Sequence, residues 1–157
     1  MLRIDYLVNH PSLVTLLADW FYEEWGGRRP DDSLEGFKIR LQGRMNQNRL
    51  PLALIAFFEG EPVGTAALKI REMETHPHFE HWLGSVYVQE SHRKRGFGTK
   101  LIQAIISEAA RFGIEELYLY TRGSEIFYSK LGWKEIEKPF FRGRRVTIMK
   151  HLLPKAP

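Results

Sequence analysis

The sequence predicts a mixed α/β fold in which helical and strand-like hydrophobic periods alternate along the chain. Two helical periods open it, an apolar strand pair joined by a tight turn follows, and then come a strand, a long helix and another strand. With 157 residues, 43% of them hydrophobic and 27% charged, the chain can bury roughly two thirds of its unfolded surface without staples. No repeat, low-complexity stretch or linker divides it, so one domain is expected over residues 1–157. The absence of Cys excludes a disulfide framework, a thiolate metal site and a Cys nucleophile together.

The elements follow in order. Ser12 starts a helix on which Leu13, Leu16, Leu17, Trp20, Phe21 and Trp25 recur at helical spacing, and Gly26-Gly27 ends it. Asp31-Asp32-Ser33 starts a second, carrying Leu34, Phe37, Leu41 and Met45. Leu52 to Phe58 reads as a buried strand that Glu59-Gly60-Glu61-Pro62 turns into Val63 to Ile70, which gives the sheet an antiparallel start. Trp82 to Val88 is a third strand. Gly96 to Phe112 is a long helix with Leu101, Ile102, Ile105, Ile106 and Ala109 facing inward, and Leu117 to Tyr120 is a strand again. Ser124 caps a short helix through Leu131, Gly132 stops it, and Trp133 to Ile136 pairs with Val146 to Met149.

Met1 to His10 lacks the apolar core of a signal peptide, and the longest apolar run, Leu50 to Phe58, is broken by Pro51 and too short to span a bilayer. A cytoplasmic protein without a membrane partner is expected. The net charge is only +4, but basic residues gather at Arg93, Lys94, Arg95 and at Arg142, Arg144, Arg145. Such clusters suit a polyanion, either a phosphorylated cofactor or a nucleic acid.

The segment Val86 to Leu101 carries the chemistry. A strand runs into a basic turn with Gly96 and Gly98 that opens a helix, and helix-terminal N–H groups, which lack internal partners and sit at the positive end of the macrodipole, coordinate anionic oxygens. Thr99 adds a hydroxyl. Glycine at both positions is read as room for a ligand to approach the backbone. A Walker A loop does not fit, because Thr99-Lys100 follows Gly98 in the reverse order. A dinucleotide fingerprint does not fit either, since Leu101 stands where a small residue belongs and Tyr120-Thr121 where an acid belongs. What remains is Arg93-x-x-Gly96-x-Gly98, which resembles the pyrophosphate loop of the GNAT superfamily of acetyl-CoA-dependent N-acetyltransferases. Some thirty residues on, Ile126-Phe-Tyr-Ser-Lys-Leu-Gly-Trp133 is similar to that family's Phe-Tyr-x-x-x-Gly-Phe/Trp segment. Two departures stand out: Glu90 where the family often has Pro, and Thr121 where it often has Asn.

The resemblance implies a mostly antiparallel central sheet, splayed at the cofactor strand and flanked by helices on both faces. It implies acetyl-CoA as cofactor, held by the pantetheine arm against Val86 and Val88 and by the pyrophosphate on Arg93, Lys94, Arg95, Gly96, Phe97, Gly98 and Thr99. Lys130 would reach the 3′-phosphate, and Tyr128 would protonate or hydrogen-bond the departing thiolate. Gly84 is expected to mark a bulge in the strand. The acceptor is a small-molecule or peptide amine, with the acidic segments Gly26 to Leu34 and Glu72 to His81 on its side of the cleft. An ammonium must lose a proton before attack, and Glu74 is the first candidate to take it. This chemistry requires no metal.

Rival readings exist for several residues. His76, His78 and His81 alternate on an extended segment and could face a metal together, although Pro77 interrupts them. The two Arg clusters, with Phe97, Phe140 and Phe141 as stacking surfaces, would serve a nucleic acid but leave the glycine spacing unexplained. An acyl-CoA sensor without turnover would use the same loop. The aromatic set Trp20, Phe21, Tyr22 and Trp25 is a helix's packed face rather than a binding platform. Exposed edge strands would allow a homodimer.

Overall fold

A computed structural model describes residues 1–154. Its strands are β1 (Leu2–Tyr6), β2 (Leu52–Phe58), β3 (Glu61–Ile70), β4 (His81–Val88), β5 (Glu116–Thr121), β6 (Lys134–Glu137), β7 (Phe140–Phe141), β8 (Arg144–Arg145) and β9 (Thr147–Leu152). Its helices are α1 (Val14–Trp25), α2 (Leu34–Gln42), α3 (Phe97–Arg111) and α4 (Glu125–Lys130). A seven-stranded sheet runs in the order β1-β2-β3-β4-β5-β9-β6, and β7 and β8 form a separate small hairpin. Pairing is antiparallel between β1 and β2, β5 and β9, and β6 and β9, while β4 and β5 run parallel with Trp82 opposite Tyr118. The mixed, mostly antiparallel sheet flanked by helices is the expected fold class.

The chain divides into two compact units. The first comprises residues 1–67 and 85–102, the second residues 68–84 and 103 onward. In the first, Leu17, Trp20 and Phe21 of α1, Phe37 and Leu41 of α2, and Ala53, Ile55 and Phe57 of β2 form one apolar cluster. Each fully buried large side chain there contributes about 2 kcal/mol of transfer free energy. Trp20 and Phe21 are thus core residues, as their spacing predicts. Ser33 caps α2, its hydroxyl accepting from Gly36 N–H at 3.0 Å, and Arg40 closes the turn back onto Asp31 and Asp32. In the second unit, Met73, Trp82, Tyr118, Phe141, Val146 and Ile148 form the core cluster.

Four expectations need correction. Ser12 does not cap α1; it lies in a short 3-10 turn, Pro11–Leu13, that feeds the helix without a side-chain cap. Ser124 precedes α4 but makes no cap bond. Tyr22, grouped with Trp20, Phe21 and Trp25 as a packed face, is 48% exposed. Beside Gly84, where a bulge is expected, Ser85 is left-handed at φ +49°, and a Cβ at 84 would sit 3.1 Å from the Lys69 side chain. Strand β1 and the β7–β8 hairpin lie where the sequence reading placed no strands.

Candidate active site

The candidate anion-binding loop lies within the first unit, where β4 ends and α3 begins. Gln89 N–H donates to the Val63 carbonyl at 2.8 Å, tying the end of β4 to β3. Next to it Gly64 permits close packing, because a Cβ at that position would lie 2.8 Å from the Tyr87 carbonyl and 3.0 Å from Leu101. A glycine inside a strand is the one sequence signal for such an approach, and it was not read as part of the site. A 3-10 turn over Glu90–His92 leads into the loop, where Arg93, Lys94, Arg95 and Gly96 are all exposed. Lys94 at φ +64° and Gly96 at φ +82° are left-handed.

The first α-helical bond of α3 runs from Lys100 N–H to the Gly96 carbonyl at 3.1 Å, so the N–H groups of Phe97, Gly98 and Thr99 precede the helical ladder. No acidic residue occupies the first turn of α3. Those donors, with the dipole behind them and basic side chains around them, have the arrangement that an anion would require.

The two glycines have different reasons. Gly96 has nothing within 4 Å of a hypothetical Cβ, so its backbone conformation alone calls for glycine. Gly98 is in ordinary helical geometry, and a Cβ there would meet only Val88 Cγ2 at a comfortable 3.7 Å. Nothing in the fold requires glycine at 98.

Arg93 turns back on the strand. Its Nε donates to the Val88 carbonyl at 2.8 Å and its guanidinium carbon lies 5.5 Å from the Tyr87 ring centre. Arg95 stands 5.6 Å over Phe58, which packs on Phe97 at 5.1 Å, so Phe97 is a buried support for the loop rather than an exposed contact. Val86 and Val88 are half-buried, and the intervening Tyr87 points into Trp20, Phe21 and Trp25. Burial there pushes the Tyr87 phenol above its ordinary pKa, with Arg93 opposing.

The remaining candidates lie in the second unit. Tyr128, half-buried on α4, packs edge-on against Phe127 at 5.2 Å and Trp133 at 6.1 Å. No described residue hydrogen-bonds its hydroxyl, and desolvation alone pushes its pKa up to about 12. Lys130 is exposed. Glu74 is 65% exposed and its Oε2 accepts from Arg142 at 3.2 Å, so a proton acceptor at Glu74 would first have to release that guanidinium.

The three histidines do not converge. Both ring nitrogens of His76 are engaged, Nδ1 with the Thr75 hydroxyl at 2.8 Å and Nε2 with Glu137 at 3.0 Å. His78 leans on Phe79, and burial lowers the pKa of His81. Among the described residues no group of three or more metal-ligating side chains comes together. The rings of Phe140 and Phe141 already carry their own cations, Arg145 at 4.3 Å and Arg142 at 4.4 Å.

The sequence profile of the acetyltransferase (GNAT) family matches residues 11–133, most of the chain. The chain belongs to the acetyltransferase (GNAT) family. Among solved structures it is similar to an aminoglycoside 6′-N-acetyltransferase complexed with coenzyme A, at 21% identity and TM-score 0.79 with 99% of each chain covered. It is also similar to an aminoglycoside 6′-acetyltransferase type Ii, at 24% identity and TM-score 0.76, again over 99% of each chain. A third likeness is a Salmonella typhimurium protein solved with its cofactor acetyl-CoA, at 17% identity and TM-score 0.72, covering 99% of this chain and 95% of that one. No curated protein matches the chain in sequence. As a GNAT domain the chain is an acetyltransferase. Among the described residues no helix is long and apolar enough to cross a membrane.

Proposed function

We propose that the chain, acting as one domain over residues 1–157, transfers the acetyl group of acetyl-CoA to a primary amine by direct attack in a ternary complex. The observation that carries the reading is the start of α3: free helix-terminal N–H donors, no acid in the first turn, exposed Lys94 and Arg95, and a Gly98 that the fold itself does not need. A pyrophosphate bridging those donors would explain Gly98, because a side chain there would project toward the phosphate oxygens. Similar proteins solved with coenzyme A and acetyl-CoA support the same cofactor here.

Backbone groups of Val86 and Val88 would pair with the amide-bearing pantetheine arm as a neighbouring strand would. The Val88 carbonyl already accepts one bond from Arg93, so Arg93 serves this arrangement by fixing loop to strand, and the anionic contacts fall to Lys94, Arg95, Thr99 and the N–H groups of α3. A backbone donor near Val86 would stabilise the tetrahedral oxyanion, a contribution of about 3 kcal/mol. Lys130 is assigned to the 3′-phosphate.

Tyr128 acts on the leaving sulfur. With a phenol pKa of about 12 against about 8.5 for a thiol, full proton transfer would be uphill by roughly 5 kcal/mol. The phenol therefore serves as a neutral hydrogen-bond donor to the developing thiolate, and the proton that finally reaches sulfur comes from the nitrogen of the tetrahedral intermediate, which becomes cationic when the neutral amine adds to the thioester carbonyl. Glu74, once freed from Arg142, or an ordered water, relays the proton that the amine sheds before attack. The acceptor is a cationic amine, for which the aminoglycosides named for two similar structures are the first to try.

A thermal-shift measurement with acetyl-CoA and CoA, followed by thiol release over an amine panel that includes aminoglycosides, tests the reading. Stabilisation by acetyl-CoA and amine-dependent thiol release are expected. Stabilisation with no release over the whole panel would favour an acyl-CoA sensor, and no stabilisation would remove the cofactor assignment.

A further inference from the structure

Arg44 is 8% exposed, an unusual position for a guanidinium. It sits just past the end of α2, where its N–H donates to the Leu41 carbonyl at 3.0 Å and its own carbonyl accepts from Ala53 N–H of β2 at 3.2 Å. The backbone of Arg44 is thereby fixed to both a helix end and a strand start. From that anchor its Nη1 donates to the Ser85 hydroxyl at 3.2 Å.

Ser85 is the residue at φ +49° inside β4. Serine has no intrinsic reason to stay there, since the left-handed conformation crowds Cβ against the backbone and an extended strand offers a relaxed alternative. Val86 follows immediately and Val88 three residues on, so the conformation of Ser85 sets the direction in which their N–H and C=O groups point. A charged donor held by a rigid backbone makes a stronger clamp on the hydroxyl than a neutral one.

We propose that Arg44 is a positioning residue that holds Ser85 left-handed and so aims the backbone of Val86 to Val88 at the cofactor. The consequence for catalysis rests on the acetyl-CoA reading above, while the consequence for the strand does not. If Arg44 only satisfied its own burial, relieving Ser85 would change nothing. If it clamps Ser85, a glycine at 85, which adopts the left-handed region freely, makes the clamp dispensable.

Two readouts test this: backbone amide chemical shifts of Val86 to Val88 in the ligand-free protein, and calorimetric affinity for acetyl-CoA. Arg44→Met should move those amides and weaken acetyl-CoA binding about tenfold or more, and Ser85→Ala should move both in the same direction. Adding Ser85→Gly to Arg44→Met should return the amides and bring the affinity to within about threefold of the parent. Unmoved amides in a folded Arg44→Met protein, or a double variant that recovers nothing, would overturn the proposal. If Arg44→Met does not fold, Ser85→Ala decides, because unmoved amides there are equally fatal. A parent protein that does not bind acetyl-CoA would defeat the functional reading, yet the ligand-free shifts would still judge Arg44.

Discussion

Under the proposed function, the loop before α3 and the corner around Tyr128 face opposite electrostatic problems. Around the loop, Arg93, Lys94, Arg95 and Gly96 are exposed, and the N–H groups of residues 97–99 open the helix without an acid to neutralise them. At Tyr128 one hydroxyl stands with no hydrogen-bond partner among the described residues, its pKa raised by burial. Holding an anion in water takes many donors whose small contributions add. Assisting a leaving group takes one donor whose environment is dry enough to make a single hydrogen bond strong. The difference teaches that binding and chemistry should be separable by substitution.

The largest effect should fall on turnover. Tyr128→Phe keeps the ring against Phe127 and Trp133 and removes only the hydroxyl, so kcat should drop about a hundredfold while acetyl-CoA affinity stays within about twofold. Thiol release measured beside calorimetry checks the split. A normal kcat with chemistry rate-limiting would make Tyr128 a plain packing residue.

A second effect of the same burial appears in stability at alkaline pH. The folded-state pKa of Tyr128, about 12, lies above the ordinary value of 10.0, so the folded protein binds the proton more tightly than the unfolded chain. Stability is unaffected below pH 10 and falls as pH rises from 10 toward 12, by up to about 3 kcal/mol from this group. Tyr87 and Tyr118, also raised by burial, add to the slope. Denaturant titrations at several pH values should show a shallower decline in Tyr128→Phe than in the parent. Identical slopes would mean that Tyr128 is not desolvated.

The smallest effect belongs to the exposed cations. Lys94→Ala with Arg95→Ala should weaken acetyl-CoA binding roughly three- to tenfold at low salt, and the gap should narrow as salt rises, because these charges face water. A salt-independent gap would point to a steric change in the loop instead. Calorimetry at two ionic strengths is sufficient.

The strand, loop and long helix around residues 86–101 were legible because each signal is local: an apolar run, a basic turn with glycines, then a period of 3.6. Tyr128 was legible only through its likeness to a family segment, and the partnerless state of its hydroxyl is a property of packing that no local pattern records. Distant pairings escaped in the same way. Glu74 meets Arg142 and His76 meets Glu137 across more than sixty residues of chain, which changes what either acid or histidine is free to do. Arg44, forty-one residues from Ser85, looks like one more surface arginine until the fold buries it. Strand β1 is not legible in the sequence because four half-buried residues and the exposed Arg3 at the chain start carry too short an alternation, although they pair in full register with β2. The glycines at 96 and 98 looked alike in sequence and differ in structure, one needed by the backbone and the other not.

That last difference supplies the most direct test of the cofactor site. Calorimetric titration of acetyl-CoA into the parent protein and Gly98→Val compares a fold that tolerates the first carbon of a side chain at 98 with a ligand that should not. With thermal stability of the variant within a few degrees of the parent, the affinity should fall at least tenfold, about 1.4 kcal/mol. Unchanged affinity in the folded variant would contradict the placement of the pyrophosphate on the loop that opens α3.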